Sequence, residues 1–150
     1  MGDVLRIFLN VREKFEEIKD KVSLVKTYPE LHVISPGIAM KIEEFEELLG
    51  SKPELIYESK EKVYGISVVY TVDDEVTTGI IAHEFAEILA REIGISSHDE
   101  VDEICVKRGF GRELMSALQS ILAGRTERIF IDREEMKRIN KLRMKLNNRL

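Results

Sequence analysis

The chain has 150 residues, 43% of them hydrophobic, and a formal net charge of −5. That length suits one folded domain, expected to span residues 1–150, with a core that needs no covalent staples. No apolar run approaches the roughly 20 residues that cross a bilayer, and a single cysteine, Cys105, excludes an internal disulfide and a multi-cysteine zinc site. The N-terminal residues lack the basic head and long apolar run of a secretory signal, so a cytoplasmic, membrane-free protein is expected. Charge is unevenly placed. Residues 1–124 hold 14 Lys/Arg against 24 Asp/Glu, whereas residues 125–150 hold 9 against 4.

In chain order, Leu5, Phe8, Val11, Phe15, Ile18 and Val22 recur at helical spacing, which predicts a helix from Val4 to about Val22. Tyr28-Pro29 breaks the chain, and Leu31 to Ile34 reads as a short strand closed by Pro36-Gly37. Ile42 to Leu49 predicts a short helix stopped by Gly50, its acids Glu43, Glu44, Glu46 and Glu47 forming a solvated face without EF-hand spacing. Leu55 to Tyr57 is a strand candidate. Val63 to Val72 is the clearest strand, rich in β-branched and aromatic residues.

The main helix begins between Asp74 and Thr78 and ends at Gly94. A second runs from about His98 to Arg108, with Ser97 and Glu100 spaced as a capping box, and a third from about Arg112 to Ala123. Arg128 to Ile131 is a further strand candidate, and Asp132 is the expected cap of a terminal helix. Along that helix Met136, Ile139, Leu142, Leu146 and Leu150 form an apolar stripe, to be covered by the body of the domain or, as a homodimer, by a second copy. This order of elements predicts an α+β fold: a small, mostly antiparallel sheet packed on helices, with a helical C-terminal half.

Ile80 to Gly94 reads IIAHEFAEILAREIG. With Ile81 at zero on the helical wheel, Phe85, Ile88, Leu89 and Glu92 fall within about 80 degrees of it, and His83 and Glu87 fall together on the opposite side beside Ala86 and Ala90. By default, polar residues opposite an apolar stripe are a solvated face. An imidazole and a carboxylate four residues apart can nevertheless both reach one metal ion. The next helix opens with His98, only 15 residues beyond His83.

Ile80 to Leu122 resembles the catalytic half of the HtpX-like zinc metallopeptidases, the group that includes the CAAX prenyl proteases. His83-Glu84-Phe85-Ala86-Glu87 matches their HExxH motif except at its last ligand. His98-Asp99-Glu100-Val101-Asp102 matches their Glu-x-x-x-Asp except at its first, and Cys105, Gly109 and Ala117-Leu118 fall where the rest of the pattern would put them. The two departures are complementary. The family presents His, His and Glu; this chain presents His83, Glu87 and His98, a set that still suits one catalytic Zn²⁺ with a fourth position for water.

The resemblance thus implies a zincin-like fold, hydrolysis of a peptide or protein substrate by a metal-activated water, and Glu84 as the general base. Antiparallel packing of the two helices would bring Asp102 level with Glu87. Asp102 is then an alternative third ligand, or a residue that orients a ligand histidine. The strand Val63 to Val72 is the candidate edge for an extended peptide, against a plain core strand as the simpler reading. Two other function classes stay open: an inactive zincin-like interaction module, and nucleic-acid binding through the basic terminal helix, which the acidic remainder of the chain does not favour. His32 reads as an ordinary partly exposed histidine and Cys105 as a small buried core residue.

Overall fold

A computed structural model describes residues 2–32, 35–71, 73–125, 138 and 141–146. The helices are α1 (Gly2–Arg12), α2 (Ile42–Leu49), α3 (Asp74–Ile93), α4 (His98–Lys107) and α5 (Gly111–Arg125), and Arg138 and residues 141–146 are also helical. The strands are β1 (Val22–Val25), β2 (Gly37–Lys41), β3 (Leu55–Tyr57) and β4 (Tyr64–Val68). The fold is α+β, with one mixed sheet in the order β2-β4-β1-β3. Pairing is antiparallel at β2/β4 and β1/β3 and parallel at β1/β4. Among the described residues no helix is long and apolar enough to cross a membrane.

The predicted first helix is shorter than its periodicity implied. After Arg12 the bonding pattern tightens from four residues to three, as in Lys14 N to Val11 O, Phe15 N to Arg12 O and Ile18 N to Phe15 O. Arg12 fastens the turn by donating from Nε to the Lys19 carbonyl at 2.9 Å. Phe15 and Ile18 still enter the core, at 0% and 2% exposure, so their spacing recorded burial and not continuous helix. Val22, the last of that series, instead opens β1. All four residues of this strand are buried, so it lacks the alternation that marks a half-exposed strand.

The strand expected at Leu31 to Ile34 is also displaced. Leu31 closes a 3-10 turn and His32 caps it, while Val33 and Ile34 lie outside the described residues. The strand begins later, at Gly37, where the Pro-Gly pair was read as its end. The His32 ring holds this turn together, with Nδ1 3.0 Å from the Ser35 carbonyl and Nε2 2.9 Å from Ser67 Oγ. It is partly buried, in line with the reading of an ordinary partly exposed histidine.

The helix α3 occupies the centre of the molecule. Asp73 caps it by accepting from the amides of Glu75 and Val76, and Gly94 ends it at φ 78°. Phe85, fully buried, packs on Phe8 and Phe15 with ring centroids 5.2 and 5.3 Å away. The opposite side, which by default would be a solvated face, is covered as well. Ala86 and Ala90 are buried at 0% and 2%, and α4 and α5 both pack on α3. At Gly79 the backbones of α3 and α5 touch: a Cβ there would lie 2.1 Å from the Glu113 carbonyl oxygen.

The helix α4 starts at His98 as expected, although Ser97 makes no side-chain capping bond. Leu142 is 1% exposed within the same hydrophobic core, and Leu146 packs against Gly111. The described part of the terminal stripe is therefore covered by the chain's own body. Met136, Ile139 and Leu150, the strand candidate Arg128 to Ile131 and the cap Asp132 lie outside the described residues.

Arg108 binds Glu17 across the bottom of the molecule with two side-chain hydrogen bonds, one of them 2.7 Å long. That guanidinium lowers the Glu17 pKa from 4.5 to about 2. A depressed carboxylate stabilises the fold above its unfolded pKa and loses that stabilisation as pH falls, here between about 4.5 and about 2. Because Glu17 is half exposed, water screens the pair and the contribution is under about 1 kcal/mol. Urea unfolding should find Glu17→Gln less stable than wild type by that margin at pH 7, with the two converging as pH approaches 2.

Candidate metal centre

His83 and Glu87 stand one turn apart on α3, and a short link from Gly94 to Ser97 returns the chain so that His98 begins α4 above them. The link is tight because the amides of Gly94 and Ile95 bond back to carbonyls in the last turn of α3. One ligand atom from each of His83, Glu87 and His98 lies within 4.8 Å of the other two. His83 and Glu87 are partly buried, and His98 is exposed at the rim. The ring of His83 is oriented by its neighbours: Nε2 faces Glu87 Oε1 at 3.6 Å, and Nδ1 faces Glu84 Oε1 at 3.5 Å. Two imidazoles and a carboxylate converging on one point, two of them partly withdrawn from water, fit the donor set of a catalytic zinc site.

Glu84 is 5% exposed and lies beside the cluster without belonging to it. The edge strand packs directly on it: a Cβ at Gly37 would come within 3.1 Å of both Glu84 Cγ and Oε1. Only a glycine lets β2 come this close.

Asp102 is 3% exposed and lies one turn beyond His98 on α4. Its oxygens are gripped by Arg138, with Nε to Oδ2 at 3.1 Å and Nη2 to Oδ1 at 2.9 Å. Arg138 Nη2 also lies 3.1 Å from His83 Nε2. Asp102 thus acts on His83 through this guanidinium. Sequence reading missed Arg138 altogether, its one relevant signal being the basic excess after residue 124.

Burial opposes the charged form of His83, but the Glu84 hydrogen bond and the charges of Glu84 and Glu87 outweigh it and raise its pKa; Arg138 pulls the other way. A guanidinium offers only donors, so its contact with Nε2 belongs to the neutral ring. Burial raises the Glu87 pKa, with the His83 charge working against it. Cys105, fully buried mid-helix, has its thiol pushed far up by burial, as befits a core residue and not a nucleophile.

The cluster lies where two hollows meet. One of about 380 Å³ lies between β2, α3 and α5, and one of about 310 Å³ lies between β2, the end of α3 and the start of α4. Both are lined by Ala39, Glu87 and His98. The sheet edge along this cleft is β2. The strand Val63 to Val72, the candidate edge, appears as β4 over Tyr64–Val68 and lies between β2 and β1, so its simpler reading as a core strand is correct. The bonds from Val69 N to Pro36 O and from Ile42 N to Val63 O fix the phase of the ladder. Even-numbered residues of β2 bond to β4, and the odd-numbered Ala39 directs its N–H and C=O outward.

Comparison with protein-family models, with curated proteins and with solved structures finds no match to this chain.

Proposed function

We propose that the chain is a zincin-like metallopeptidase in which His83, Glu87 and His98 hold one Zn²⁺ and Glu84 is the general base. One observation carries this reading: three ligand atoms from two consecutive helices converge within 4.8 Å of one another, beside a buried glutamate. A zinc ion held there would supply Lewis acidity, lowering the pKa of a water toward about 7 and polarising the scissile carbonyl. Glu84 would serve there as the general base, accepting a proton from the water and passing it to the leaving amine. His98 and Glu87 line both hollows and Glu84 lines the one between β2, α3 and α5, so a peptide running along the cleft would pass this cluster. The outward N–H and C=O of Ala39 can bond an extended backbone at that point, a mode that grips main chain and gives little sequence selectivity.

Prepared without chelators or a histidine tag, the protein is expected to contain one zinc per chain by elemental analysis. His83→Ala should lose both the metal and hydrolysis of an unstructured protein substrate. Zinc at a hundred times its dissociation constant should add about 2.7 kcal/mol of stability. A chain that binds no transition metal in stoichiometric amount, and whose melting temperature zinc does not raise, would overturn the reading.

A second reading, an inactive zincin-like interaction module, is favoured by one contact: Arg138 already occupies His83 Nε2, so the buried polar network has a partner there without metal. Nucleic-acid binding is favoured by nothing comparable. Lys145 lies 2.8 Å from Glu103 and 3.4 Å from Asp99, and Lys141 lies 3.8 Å from Asp99, so part of the basic terminal helix is matched by acids of α4.

A further inference from the structure

Arg138 bears on what His83 can bind. A guanidinium stays charged and carries no acceptor, so at 3.1 Å its Nη2 donates to Nε2 and the ring hydrogen sits on Nδ1, facing Glu84. The same guanidinium is held from its other side by both oxygens of Asp102, in a pair with side-chain exposures of 13% and 5%. Nε2, and not Nδ1, is the nitrogen turned toward Glu87. The lone pair that Arg138 occupies is therefore the one that a metal shared with Glu87 and His98 requires.

We propose that Arg138 is a positioning residue that competes with the metal for Nε2 of His83. This inference rests on the reading of His83, Glu87 and His98 as a metal site. In the metal-free chain the guanidinium holds the imidazole in the tautomer and orientation that ligation needs. Metal entry requires its withdrawal from Nε2, since one lone pair cannot serve two cations. Arg138 belongs to the C-terminal helical residues, which α4 also holds through Lys145 on Asp99 and Glu103. Metal loading and the docking of that segment are therefore linked, and by reciprocity each weakens the other.

The test compares the full-length wild type with Arg138→Gln, measuring zinc affinity by competition with a chromophoric chelator and melting temperature without zinc. The variant is expected to bind zinc roughly tenfold or more tightly, because a positive charge has left the site. It should also melt lower without zinc, because Asp102 has lost its counter-charge. A residue with a merely structural role would lower stability and leave zinc affinity unchanged or reduced, and that result overturns the proposal. Should the variant not fold, hydrogen exchange on the wild type decides. The amides of residues 141–146 should exchange faster with zinc bound, although ligands ordinarily slow exchange; slower or unchanged exchange overturns it. Equal zinc affinity in both proteins sinks this inference alone, whereas no zinc binding in either sinks the metal-site reading with it.

Discussion

Glu84→Gln is expected to abolish most peptide hydrolysis while leaving zinc bound. The substitution keeps the shape of a side chain that sits 5% exposed against Gly37, so the close approach of β2 survives it. It removes the only property the mechanism asks of this residue, a carboxylate able to take a proton from water and release it to the leaving amine. General bases contribute roughly 10²–10⁴-fold, so turnover should fall by about that factor. Metal content should not change, because the three atoms of the cluster come from His83, Glu87 and His98 and none from Glu84. Elemental analysis beside a cleavage assay on an unstructured protein checks both halves. Wild-type turnover in the variant would remove Glu84 from the mechanism, and loss of zinc would make it a ligand or a support for one.

Phe85→Ala should cost about 3–5 kcal/mol, the usual range for deleting a buried aromatic side chain. Phe85 lies between Glu84 and Glu87 in sequence, yet its ring points the other way, between Phe8 and Phe15. It joins α3 to α1 and to the turn that follows α1. For a chain of this length each kcal/mol lowers the melting temperature by roughly 2–4 °C, so a drop on the order of 10 °C is expected in a thermal melt. Where the variant remains folded, zinc affinity should stay near that of wild type. A stable variant with impaired zinc binding would show that the ring orients the site and not only the helix.

Helices α2, α3 and α4 were legible in the sequence because they carry their own punctuation. Asp73 and Gly94 bound α3 and Gly50 stops α2, each by a local bond or a left-handed backbone. The pairing of His83 with Glu87 was legible for the same reason, since helical geometry alone places residues four apart on one face. The strands β1 and β2 were not. VSLV is buried on both faces and so shows no alternation, and GIAMK begins at a Pro-Gly pair that ordinarily ends a strand. Their partners across the sheet make them strands, and no local preference announces those partners.

The sequence by itself placed two histidines and a glutamate on two consecutive helices joined by a short link, with a second glutamate next to His83, and left Asp102 as an alternative to His98. Only the tertiary structure decided that β2 and not β4 forms the edge beside them, that Asp102 faces Arg138, and that Arg138 reaches across 55 residues of sequence to His83. The physical reason is range. Helix spacing and caps act over a turn or two of chain. A sheet order and a partly buried guanidinium that reaches both α3 and α4 depend on how distant segments pack, which the local pattern of residues does not encode.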